Sequence, residues 1–284
     1  MALPVHVALV AENASIGLAE LTQVAAALQK QVVRDFGPIW GIAADVSAFP
    51  NLESVPLDYW PIVIMDDIGE PSAAGYHQDD NGQPFALVQF NNSWTLTASH
   101  ELLEMLGDPF GRRMIAGPSP VPGQGRVKFL VEVCDPSEAA QFAYRINGIT
   151  VSDFYTPNYF DPAGSGGARY SFTNAITAPR QVLRGGYLSW FVPSRNAWWQ
   201  RTWFQGGAPA DRQLKGLKVK NSNPRTAIDR VTAADRNAFM QLEGDAELVA
   251  LRSVEAAAES AYTLPAGSLR ACIAKVTSAE AGGR

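Results

Sequence analysis

The sequence predicts an α/β fold: a twisted mixed sheet packed on two long helices, followed by an irregular, aromatic-rich and partly helical C-terminal part. Three observations carry that prediction. Apolar runs of strand length alternate with helix-period stripes over the first hundred residues or so. Regularity falls after Gly107, where Pro- and Gly-rich stretches such as 117–125 and 161–168 take over. At 284 residues with 46% hydrophobic and 18% charged side chains, the chain can bury one large core or a main domain with an annex. The expected division is a first domain over 1–205, then a basic linker and helical region over 206–284.

The elements follow in order. Residues 5–10, with His6 among them, form an apolar run bounded by polar residues and read as a strand. Over 14–36, Leu18, Leu21, Val24, Ala25, Leu28, Val32 and Val33 fall on one helical face, with Asn13 or Ser15 as N-cap. Residues 39–46 and 60–65 read as strands, and 85–90 as another after the turn Asp80-Asn81-Gly82. His77, just before that turn, reads as a loop residue. A second helix is expected over 95–106, closed by Gly107. Residues 127–133 read as a strand ending at Cys134-Asp135-Pro136, and Ile146-Asn147-Gly148-Ile149 as a hairpin turn. Residues 227–261 read as one or two amphipathic helices interrupted near Gly244.

Several function classes drop out. No apolar run reaches the roughly 18 residues of a spanning helix, so no membrane span is expected. The first residues lack the basic start of a signal peptide, which makes the cytoplasm the expected address, or else a virion or other large assembly. Two cysteines, Cys134 and Cys272, exclude a disulfide framework and an all-cysteine zinc cluster. The net charge of -5 is uneven: residues 1–179 carry 8 basic and 19 acidic side chains, residues 180–230 carry 10 and 2. The acidic part suits a cation site or a solvated surface. The basic part suits an anionic partner or the neutralisation of its own acidic neighbours. No nucleic-acid motif accompanies it, and the Gly-rich loop at 161–168 lacks the Lys-Ser/Thr pair of a phosphate loop.

The sharpest feature is Ser99-His100-Glu101-Leu102-Leu103-Glu104-Met105-Leu106-Gly107-Asp108-Pro109. On a helix His100 and Glu104 share one face, as two ligands of a single ion must. Glu101, next to His100, could take a proton from a water at that ion. Such a short pattern also occurs on solvated helices. Here Leu102, Leu103, Met105 and Leu106 surround it, which predicts a buried helix, where charges need a partner or an ion. Two ligands leave zinc under-coordinated, and Glu132 or Asp135, at the end of the strand near Cys134, would supply a third. Asp135-Pro136 reads equally as a plain turn starter.

His100-Glu101-x-x-Glu104-x-x-Gly107 resembles the helix of metzincin-type zinc metallopeptidases, His-Glu-x-x-His-x-x-Gly-x-x-His/Asp. Glu104 stands at the second His, and Phe110 at the third ligand. The chain is also similar to largely uncharacterised proteins, the exordium-like ones included, with His-Glu-x-x-Glu, Asp/Asn-Pro and Glu-Ile-x-Asp. The matching stretches are His100 to Glu104, Asp108-Pro109 and Glu132-Val133-Cys134-Asp135, and the resemblance covers about residues 5–160. It implies a zinc-dependent hydrolase acting on peptide or protein substrates. Zinc would be held by His100, Glu104 and a carboxylate at Glu132 or Asp135, with Glu101 as general base. It also implies a tyrosine near the oxyanion, for which Tyr155 is the most placeable; Tyr155 reads otherwise as a packed aromatic.

Calcium is the alternative ion, because Glu104, Asp108, Glu132 and Asp135 offer hard oxygens, while His100 argues for a transition metal. The alternative class is a non-catalytic structural or interaction protein with the same fold, such as a virion component. Four of the seven tryptophans lie within residues 190–204 beside Arg195 and Arg201, a composition that fits a core or a protein-partner surface.

Overall fold

A computed structural model describes residues 4–70, 73–217, 219 and 223–242. They form two compact units, one from residues up to Met105 with Arg145–Val151, the other from Leu106–Tyr144 with the described residues from Ser152 onward. Among the described residues, no helix is long and apolar enough to cross a membrane.

The first unit begins with β1 (Val5–Ala11), α1 (Leu18–Lys30) and a π-helical turn, Gln31–Phe36, that runs on into the short α2 (Gly37–Trp40). Then come β2 (Ala44–Phe49), β3 (Tyr59–Met65), β4 (Gly75–Asp80), β5 (Gln83–Gln89) and α3 (Trp94–Gly107). The sheet order is β2-β1-β3-β5-β4. β1 runs parallel to β2 and β3, and β3 parallel to β5; β4 is an antiparallel edge. The inner strands read as near-continuous apolar runs, as parallel strands covered on both faces do. Val10, Val63, Met65, Phe85 and Leu87 pack there with Leu52, Val55 and Ile68.

The long helical stripe is in place but shifted. Leu21, Val24, Leu28, Val32 and Phe36 are buried, whereas Leu18 is 50% exposed in the first turn and Val33 57% exposed beside the stripe. Side chains four apart stay on one face, and Val33 stands a third of a turn away from Val32. The strand expected over 39–46 begins only at Ala44, because the helix continues through Pro38 and ends at Gly41 in the left-handed conformation. His77, expected in a loop, lies in β4. Asn81 and Gly82, both at positive φ, make the tight hairpin that folds β4 back on β5.

The second unit holds β6 (Met114–Pro118) and β7 (Arg126–Leu130). A small hairpin of β8 (Tyr144–Ile146) and β9 (Ile149–Val151) follows, which from Arg145 on belongs to the first unit. Next are β10 (Tyr187–Val192), β11 (Ala197–Thr202), β12 (Ala210–Gln213) and α4 (Pro224–Leu242). The antiparallel sheet has the order β12-β11-β10-β7-β6.

Two expectations are corrected here. Instead of one sheet on two long helices, each unit has its own five-stranded sheet. Residues 206–242 are not a separate region after a boundary at 205. β12 pairs with β11, and Ile228 and Phe239 of α4 pack on Leu130, Tyr187, Trp198 and Phe204. The amphipathic stripe of α4 finds its cover inside this unit. The remainder of the expected 227–261 helices, and Cys272, lie outside the described residues.

Candidate metal centre

In α3 every residue from Ala98 to Gly107 is buried, so the polar triplet His100, Glu101, Glu104 sits in a core helix and not on a solvated face. Such a helix is apolar all round except where function or pairing demands otherwise. His100 Nε2 lies 3.3 Å from Glu104 Oε1 across one helical turn. The expected meeting of those two side chains on one face is in place. None of the three side chains faces bulk water: His100 is 8% exposed, Glu101 5% and Glu104 4%.

A fourth residue joins them. His77 on β4 is 3% exposed, with Nδ1 3.1 Å from Glu101 Oε2 and 4.0 Å from Glu104 Oε2. Gly75 and His77 lie two apart on a strand, so they point to the same face, here the buried one. A Cβ at Gly75 would meet Thr97 Cγ2 at 2.6 Å and Glu101 Oε1 at 3.1 Å. Only a bare Cα lets α3 approach this strand so closely. The signal for His77 was the Asn81-Gly82 turn: a tight hairpin needs a strand on both sides. Gly-Tyr-His-Gln-Asp-Asp carries no apolar alternation to announce that strand.

The other expected residues belong to the second unit. Glu132 Oε1 accepts from Arg225 Nε at 2.8 Å, so this carboxylate already faces a buried cation. Asp135 opens a short 3-10 turn and is buried, as is Cys134 before it. Asp108, the further oxygen ligand in the calcium alternative, accepts from the backbone N–H of Arg113 through Oδ2 at 2.7 Å. Tyr155 is fully buried, stacked on Tyr159 with ring centroids 4.4 Å apart and edge-on to Phe160. That is the packed-aromatic reading of Tyr155.

The first-unit residues could hold a metal ion. The ligand atoms of His77, Glu101 and Glu104 all lie within 4.8 Å of one another, and His100 Nε2 stands 3.3 Å from Glu104 Oε1. Nitrogen and oxygen donors of this kind are ordinary zinc ligands. One divalent ion would balance both carboxylates while the imidazoles stay neutral. Compared with protein-family models, curated proteins and solved structures, the chain matches none.

Proposed function

We propose that this chain is a zinc-dependent, metallopeptidase-type hydrolase in which His100 and Glu104 hold the ion and Glu101 is the proton acceptor. The observation that carries this reading is the 3.3 Å between His100 Nε2 and Glu104 Oε1 on a buried helix. Two ligands each about 2 Å from one tetrahedral ion stand about that far apart. The imidazole of His100 favours zinc over calcium, which prefers all-oxygen shells. Bound zinc would polarise a peptide carbonyl and bring the pKa of a water down towards about 7. Glu101 has Oε2 bonded to His77, which leaves Oε1 to take the proton of the attacking water and return it to the leaving amine.

Metal analysis and three variants test this. Protein purified without added metal is expected to carry about one equivalent of zinc, lost in His100→Ala. Glu104→Gln is expected to lose the ion and lower the melting temperature together, because a bound ion favours the folded state by mass action. Glu101→Gln should keep the ion while peptidase activity on unfolded protein falls about 10²–10⁴-fold. A zinc-free wild type, or full activity in Glu101→Gln, ends the reading.

One observation favours a second reading, a structural ion in a non-catalytic assembly protein. The compact set of His77, Glu101 and Glu104 would let Glu101 itself be a ligand. In that case Glu101→Gln loses the metal, and no peptide is cleaved.

A further inference from the structure

We propose that His77 is a positioning residue for Glu101: its Nδ1–H holds Oε2, so that Oε1 is the oxygen that takes the proton. This rests on the reading of Glu101 as proton acceptor. The geometry that points to it is a clasp from a single strand face. His77 Nδ1 stands 3.1 Å from Glu101 Oε2, a hydrogen bond, whereas its 4.0 Å to Glu104 Oε2 is too long for one. With Glu101 Oε2 as the acceptor, the hydrogen of this bond is the one on Nδ1. A ring nitrogen that carries hydrogen has no lone pair for an ion.

Two residues back on the same face, Gly75 lacks the Cβ that would stand 2.6 Å from Thr97 Cγ2 and 3.1 Å from Glu101 Oε1, so α3 and Glu101 can lie close to the strand. β4 thus holds Oε2 directly and gives Glu101 room beside Oε1. The strand cannot slide, because its hairpin register pairs Gly75 with Val88 and His77 with the fully buried Ala86. A glutamate has three side-chain torsions, and fixing them beforehand removes an entropy cost from the reaction.

The test uses full-length His77→Ala and His77→Asn, alone and with Glu101→Gln. The readouts are zinc content, the visible spectrum of the cobalt-substituted protein, and kcat and KM on unfolded protein. Zinc content and cobalt spectrum are expected to match wild type in both variants. In His77→Ala, kcat should fall about 10–100-fold with KM unchanged, the usual cost of losing a group behind the reacting one. His77→Asn, whose amide N–H can still donate, should recover part of that loss. Added to Glu101→Gln, His77→Ala should cost nothing further, because the two act through one carboxylate.

If His77→Ala fails to fold, His77→Phe keeps the ring volume without a donor and carries the same comparison. Loss of zinc or an altered cobalt spectrum would make His77 a ligand. An unchanged kcat, or a loss in His77→Ala that persists in full on the Glu101→Gln background, would deny it the positioning role. Each of those outcomes leaves zinc hydrolysis standing. A wild type that holds zinc and cleaves nothing removes the hydrolase reading, and the role of His77 with it.

Discussion

Asp153 is a carboxylate whose surroundings work against its own charge. It is fully buried, and Oδ1 accepts from the backbone N–H of Thr173 at 2.9 Å. Burial raises its pKa above the usual 3.8, and hydrogen bonds from Thr173 and Ser171 offset only part of that rise. The fold therefore prefers the protonated form. That contribution to stability is fully present below the unfolded pKa and is lost as pH rises through the folded one. Asp153→Asn keeps the Oδ1 acceptor and removes the charge. It should unfold at higher urea than wild type at neutral pH, with the gap closing as the acid protonates towards about pH 4. A gap that is equal at both pH values would refute the assignment.

At the scale of elements, α4 enters the second unit through one buried cation. Arg225 Nε donates to Glu132 Oε1 at 2.8 Å and Nη2 to the Asp108 carbonyl at 2.6 Å, with Asp108 Oδ2 a further 3.7 Å contact. Burial alone would lower the basicity of the guanidinium. Glu132 and Asp108 outweigh that, so it is held above its ordinary range. Removing one partner of a buried pair strands the other. Arg225→Ala is therefore expected to cost about 3–5 kcal/mol in denaturant titrations. Arg225→Lys should recover little, because an ammonium lacks the planar fork that reaches two oxygens at once. Neither change should alter zinc content, since Arg225 lies among none of the proposed ligands. Loss of zinc in Arg225→Ala would point to Glu132 as a ligand.

Across the whole molecule, several arginines of the basic stretch over 180–230 have partners within their own unit. Arg201 makes two hydrogen bonds to Asp211 at 2.7 and 2.8 Å. Arg212 pairs with Asp235 and Arg225 with Glu132, while Arg180 donates to the carbonyl oxygens of Asp161 and Pro162. Of the two readings of that charge, internal neutralisation has these contacts behind it. The protein is accordingly expected to leave a heparin column below about 0.15 M salt, a concentration at which exposed charges are already well screened. Retention to well above that salt would mean an anion-binding face. The tryptophan-rich stretch is internal in part, with Trp199 and Trp203 half-buried. Trp190 and Trp198 are buried on β10 and β11, and Trp190 Nε1 donates to Gln124 Oε1 at 2.9 Å.

What the sequence by itself determined is local. The strand at 5–10, the helix after it and the helix carrying His100 and Glu104 all stand close to where periodicity put them. Repeat spacing and the i,i+4 relation belong to consecutive residues, so no distant packing is needed to read them. Only the tertiary structure decided which distant residues meet. His77 reaches Glu101 because a hairpin brings a polar edge strand against α3, across 24 residues of sequence. Glu132, a ligand candidate by its place after an apolar strand, meets Arg225 from 93 residues away. The single sheet gave way to two for the same reason. Strand pairing and the burial of charge are settled by long-range packing, and a run of residues carries no record of its neighbours in space.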